Sequence, residues 1–162
     1  MADHSMRIGQ GWDIHQMVEG RPLVLGGLTI PFDRGPLGHS DGDVLIHAII
    51  DALLGALCLG DIGQHFPPAD ERYKGANSLD MLAQVKGLVS QEGYTIGNID
   101  STIILEKPKL APHLEAMRRG LAQVLNCQPA QISIKAKTHE GLDELGKGNA
   151  VACQAVALLF QL

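Results

Sequence analysis

Residues 40–60 read "SDGDVLIHAIIDALLGALCLG", and this run decides the architecture. Ser40, Asp41 and Asp43 suit the start of a helix, about four apolar turns follow, and Gly60 marks the stop. Strand patterns lie upstream. Arg7 to about His15 is a glycine-interrupted strand, and residues 21–32, "RPLVLGGLTIPF", read as two short strands joined by a Gly26-Gly27 turn. Downstream, residues 61–77 form a long Gly-, Pro- and Asp-rich loop of the kind that often holds function. Helices are expected at Ser78 to about Glu92 and Ala111 to about Leu125, and strands at Ile99 to Leu105, 131–137 and 150–162. Residues 138–149 read as a glycine-rich loop. The order predicts a single-domain α+β sandwich.

Composition narrows the functional classes. The 162 residues suit one domain, and 45% hydrophobic with 19% charged residues is a globular balance. No apolar run reaches the roughly 18 residues of a membrane span, which argues against a membrane partner. A formal charge of −5 argues against a nucleic-acid partner, because backbone phosphates require a basic face. A small phosphorylated molecule stays compatible if metal ions offset the acidity. Cys58, Cys127 and Cys153 are odd in number and widely spaced, as expected of reduced thiols in a cytosol-like compartment. Cys58 and Cys153, set in apolar runs, are expected to act as small hydrophobes. Residues 1–6 read as a leader or cloning remnant before a domain spanning 7–162.

Candidate chemistry begins at "GQGWDIHQM", residues 9–17, where Asp13 and His15 share one strand face about 6.5 to 7 Å apart. One small ion can be gripped by both, and a third ligand is available on the apolar helix at His47. Asp43 and Asp51 sit at i−4 and i+4 from His47, so a neighbouring carboxylate is expected to accept its other ring proton. Two nitrogens and one oxygen with a fourth position open is the arrangement of catalytic zinc. Taken alone, a histidine on such a helix is more often a hydrogen-bonded core residue, and an Asp beside glycine a turn former. His39 and Ser40 precede the helix, where its dipole favours an anion, although Ser40 or Asp41 can also simply cap it.

Seven stretches carry a resemblance: 11–31 "GWDIHQMVEGRPLVLGGLTIP", 38–44 "GHSDGDV", 47–67 "HAIIDALLGALCLGDIGQHFP", 74–78 "KGANS", 97–104 "GNIDSTII", 107–118 "KPKLAPHLEAMR" and 135–142 "KAKTHEGL". Together, from about Arg7 to the C-terminus, they resemble the 2-C-methyl-D-erythritol 2,4-cyclodiphosphate synthases of non-mevalonate isoprenoid synthesis. The resemblance implies a mixed β-sheet backed by helices, and a homotrimer with sites between subunits. It also implies a lyase that acts on 4-diphosphocytidyl-2-C-methyl-D-erythritol 2-phosphate. There the 2-phosphate attacks the β-phosphorus and expels CMP. Location would be bacterial cytoplasm, or plastid stroma in a plastid-bearing organism.

By the same resemblance, Asp13, His15 and His47 would hold zinc, and Glu140 a second divalent ion, magnesium or manganese. His39 and Thr138 would steady the transition state, with Ser40 beside the methylerythritol phosphate. Asp61, Ile62 and Gly63 would meet the ribose, while Phe66, Pro67, Pro68, Ala69 and Asp70 would close over the methylerythritol. Leu105, Glu106, Lys107, Pro108, Lys109, Leu110 and Ala111 would hold cytosine, largely through backbone groups. Read alone, "KPKLAP" favours a solvated, proline-kinked connection. Lys137, Thr138, His139 and Glu140 would attend the diphosphate, although Lys137 alone reads as an ordinary strand end.

Two departures stand out. Pro68 replaces a usual Asp, whose contact Asp70 would have to supply. In "LDELGKGNAV", residues 142–151, Glu144 takes an aromatic position, Lys147 an Arg position and Asn149 a Glu position in a segment lining the family's trimer-axis cavity for isoprenoid diphosphates. A carboxylate on that wall costs several kcal/mol unless it is paired, and Lys147 is the available partner. Two other functions compete: a zinc-dependent nucleotide phosphohydrolase, and a non-catalytic trimeric binding protein.

Overall fold

The computed structural model describes residues 5–162. In chain order it runs β1 (Met6–Glu19), β2 (Leu23–Leu25), β3 (Leu28–Ile30), β4 (Arg34–Pro36), α1 (Val44–Ala56), α2 (Ile62–His65), α3 (Ser78–Gln91), β5 (Tyr94–Ile104), α4 (Leu114–Leu125), β6 (Ile132–Lys137), α5 (Asp143–Gly146) and β7 (Ala150–Gln161). Five strands form a mixed sheet in the order β4-β1-β7-β5-β6. Only β5 and β6 are parallel, and their connection carries α4, as a parallel crossover requires. β2 and β3 form a separate hairpin.

Side-chain size on β1 sets how α1 lies. Odd-numbered residues face the helix layer, and a Cβ built on Gly9 would stand 1.9 Å from the Ala52 carbonyl oxygen. One on Gly11 would stand equally close to that of Ala48. These glycines let the helix backbone rest almost directly on the strand, with Ala155 and Ala157 of β7 adding little bulk under the same layer. Ile46, Ile49, Ile50, Leu53 and Leu54 are fully buried, and this apolar layer between sheet and helices is the core.

α1 starts at Val44, and of the expected capping residues Ser40, Asp41 and Asp43 it is Asp43 that caps it. One Asp43 oxygen takes the amides of Ile46 and Gly26, and the other takes that of Gly27. Gly26 and Gly27 both lie at positive φ, as a tight hairpin turn demands, so the cap also ties the β2–β3 hairpin to the helix. Burial pushes the Asp43 carboxyl up to about 6 against the pull of those three amides.

Several expected boundaries shift. Pairing begins at Met6 opposite Phe160, and Ser5 bonds Gln161; residues 1–4 of the expected leader lie outside the described residues. β5 starts at Tyr94 rather than Ile99, since a bulge at Gly97 breaks the alternation a strand reading depends on. The expected loops contain α2, a 3₁₀ turn at Glu71–Tyr73, and α5; each is too short to show a period. A 3₁₀ turn, Ala111–His113, precedes α4, and β4 adds to β1 unannounced by any pattern. Cys153 is buried as expected, whereas Cys58 lies past the end of α1 at φ 58 and is exposed. Among the described residues, no helix is long and apolar enough to cross a membrane.

Candidate metal and ligand site

The close approach of α1 to β1 brings His47 onto Asp13. His47 Nδ1 lies 2.9 Å from Asp13 Oδ2 and His15 Nε2 lies 3.1 Å from the same oxygen, so strand pair and helix residue converge as the spacing predicts. The ligand atoms of the three residues all lie within 4.8 Å of one another. His15 Nδ1 sits 2.7 Å from the Leu37 carbonyl, which can only accept, so that nitrogen carries a proton; Nε2 faces Asp13, donates to it while protonated, and is the nitrogen left to ligate a cation once it gives that proton up. Arg21 fixes this loop by donating to the carbonyls of Pro36, Gly38 and Ser40. Burial pushes the Asp13 carboxyl up, but hydrogen bonds from His15 and His47 outweigh it and hold the group below the usual carboxylate range. The bond to Asp13 raises His15. Two imidazole nitrogens and one ionised carboxylate oxygen suit a divalent cation of borderline softness.

The expected carboxylate partner of His47 is not the one found. Asp43 is spent on the helix cap, and Asp51 accepts the Ile62 amide at 2.7 Å. Instead His47 Nε2 faces Ser78 Oγ at 2.9 Å and Ser40 Oγ at 3.2 Å.

A cavity of about 210 Å³ opens beside the three ligands. Of the expected substrate residues, His39, Ser40, Ile62, Gly63, Phe66 and Pro68 line it, and Asp61 caps α2. Asp70, the expected replacement for the missing Asp at position 68, binds Arg72 through both oxygens, and one of them also caps the 3₁₀ turn. Tyr73 and Met81 also line the cavity and were not foreseen; Tyr73 packs edge-on against Phe66 with centroids 5.3 Å apart. Tyr73 adjoins the quoted "KGANS", which held the only available signal.

The remaining expected residues form a second group elsewhere. Glu106 accepts the His139 amide at 3.2 Å, Thr138 Oγ1 donates to Glu140 at 3.2 Å, and Lys107 and Lys147 line another cavity with Arg34. Lys107, Lys109, Lys137, Thr138 and Glu140 are exposed. Glu144 is exposed too, and bonds Lys147 Nζ at 2.7 Å and Asn149 Nδ2 at 2.8 Å, which lower its pKa. Register separates the two groups. Ile14, Ala152, Ile104 and Lys137 form one row across four strands, so Thr138 lies three strand spacings, on the order of 14 Å, from the β1 ligands.

The YgbB family model matches residues 6–160. A 2-C-methyl-D-erythritol 2,4-cyclodiphosphate synthase from Synechococcus sp. (strain JA-3-3Ab) is 56% identical over 156 residues, covering 96% of this chain and 99% of its own. The Geobacillus kaustophilus synthase is 56% identical over 153 residues, covering 94% and 97%. Among solved structures, IspF of Plasmodium falciparum in a CDP complex superposes with a TM-score of 0.86 at 39% identity, covering 97% of each chain. Bifunctional IspDF from Campylobacter jejuni gives 0.95 at 37%, with 99% of this chain covering 43% of that one.

Proposed function

Because this chain belongs to the YgbB family of 2-C-methyl-D-erythritol 2,4-cyclodiphosphate synthases, we propose that it converts 4-diphosphocytidyl-2-C-methyl-D-erythritol 2-phosphate to the 2,4-cyclodiphosphate and CMP. The observation that carries this reading is the convergence of Asp13, His15 and His47 at the mouth of a cavity lined by His39 and Ser40. An oxygen of the substrate's 2-phosphate forms a bond to the β-phosphorus, and the bond from that phosphorus to the bridging oxygen breaks, releasing CMP with the electron pair. Attacking and leaving oxygens are both anionic, so positioning and charge neutralisation are the protein's work. Zinc held by Asp13, His15 and His47, with magnesium or manganese held by Glu140, would supply positive charge to phosphate oxygens.

The chain's own groups do the rest. His39, Ser40 and Thr138 donate hydrogen bonds to phosphate oxygens, and Lys137 adds a cation. Phe66, Pro67, Pro68 and Ala69 exclude water from the reacting phosphates. Backbone groups of Leu105 to Ala111 read the fixed donor and acceptor edge of cytosine.

The site is completed by a neighbouring subunit in a homotrimer. Two features support this. Thr138, three strand spacings or on the order of 14 Å from the β1 ligands, is too far to meet the phosphate that Asp13, His15 and His47 would hold through a metal within one chain. The outer sheet face also exposes Ile8, Trp12, Ile14, Val156 and Phe160, by 38 to 72% each, a patch that marks an association surface. Closed threefold symmetry would give three equivalent sites.

Phosphorus NMR of the reaction tests the proposal. A cyclic diphosphate appearing with equimolar CMP is the expected result. An uncyclised product would mean that water attacks instead, and no turnover with both metals present would leave only a binding role.

A further inference from the structure

The "KGANS" stretch reaches the metal ligands through a side chain that the proposed reaction does not use. Ser78, its last residue, opens α3 and is fully buried, with Oγ 2.9 Å from His47 Nε2. Behind it stands Asp41, 37 residues earlier. One Asp41 oxygen accepts the Ser78 hydroxyl in a short bond and the Asp43 amide at 3.1 Å, and the other accepts the Ser78 amide at 2.9 Å. We propose that Ser78 and Asp41 are positioning residues that hold His47 with its proton on Nε2, leaving Nδ1 for whatever cation Asp13 and His15 share.

Proton counting carries the argument. A hydroxyl has one hydrogen, and a carboxylate already receiving two backbone amides accepts rather than donates. The Ser78 proton is therefore committed to Asp41, and Ser78 Oγ can meet His47 Nε2 only as an acceptor. Ser40 Oγ, 3.2 Å from the same nitrogen, takes part of the same proton. The ring's inner nitrogen, 2.9 Å from Asp13, is thereby assigned to ligation. His15 meets the same need through the Leu37 carbonyl, so each histidine has its own outer acceptor. Outer partners of this kind typically set metal affinity by about 10- to 100-fold when removed.

The inference rests on the metal reading of the triad only for its effect on affinity. The test therefore reads the proton and the metal separately. In ¹⁵N-histidine-labelled protein, with zinc and after chelation, His47 should show a protonated Nε2 whose hydrogen exchanges slowly with water. Ser78→Ala should lose the slow exchange and weaken zinc binding about 10- to 100-fold in chelator competition. Asp41→Asn, which keeps the size of the group and releases the serine proton, should shift both in the same direction. Unprotonated Nε2 in the parent protein overturns the relay without any variant. A Ser78→Ala protein with unchanged exchange and unchanged zinc affinity also overturns it. A Ser78-dependent Nε2 proton in a chain that binds no zinc upholds the relay and refutes the metal assignment instead.

Discussion

Gly11→Ala should damage the metal site without touching a ligand. The added Cβ would lie 1.9 Å from the Ala48 carbonyl oxygen, whereas ordinary contact begins near 3.4 Å, leaving a shortfall of about 1.5 Å in the backbone of α1. Neither neighbour is a flexible side chain, so the helix must lift. A lift of that size carries His47, the residue before Ala48, away from Asp13 and stretches the 2.9 Å contact beyond ligating reach. Overpacking of this kind costs about 3 kcal/mol. With a urea m value near 2 kcal/mol/M, the unfolding midpoint should fall by about 1.5 M at fixed protein concentration. Gly87→Ala is the control: it lies inside α3 with nothing within 4 Å of an added Cβ, and should stabilise by about 0.5–1 kcal/mol. Zinc affinity by chelator competition is the second readout. A Gly11→Ala protein with parental midpoint and parental affinity would show that close helix–strand approach does not set the site.

His47→Ala should lose bound zinc; elemental analysis giving an undiminished metal-to-subunit ratio in a folded variant refutes the ligand assignment. Mixing His47→Ala subunits with subunits whose Lys107 to Ala111 loop is a glycine-serine stretch should restore CMP release that neither parent shows. Heterotrimers seen by native mass spectrometry but lacking activity would mean that each chain builds its site alone. In chelated protein the pH dependence has two limbs. His15, raised by its bond to Asp13, stabilises fully below about pH 6.5, and that contribution fades as pH rises through its folded value. Asp13, held low, stabilises above about pH 3.9, and its contribution fades as pH falls through its folded value. The difference in urea midpoint between chelated parent and His15→Gln should therefore shrink from pH 6 to pH 8.5, and a constant difference counts against the ion pair. Geranyl diphosphate should bind weakly in calorimetry, because Lys147 is already neutralised by Glu144; tight binding abolished by Lys147→Ala would refute this.

Local chemistry determined a large part of this protein. The capped apolar run of α1, the glycine turn between β2 and β3, and Asp13 and His15 on one strand face are consequences of neighbours in sequence. Periodicity and turn preferences act over a few residues and leave a readable pattern. His47 was also identifiable, since a histidine in so apolar a helix needs a polar partner. Only the tertiary structure decided which partner. Asp43 and Asp51, at helical spacing, serve a cap and the Ile62 amide, while the ring's outer nitrogen meets Ser78, brought in by α3 with Asp41 behind it. Likewise, the bulge at Gly97 that lengthens β5, the contact of α1 with Gly9 and Gly11, and the spacing that sets Thr138 apart from His15 depend on strand order and packing distance. These are relations between segments remote in sequence, and no local preference encodes them; they arise when the sheet forms and the helices settle on it.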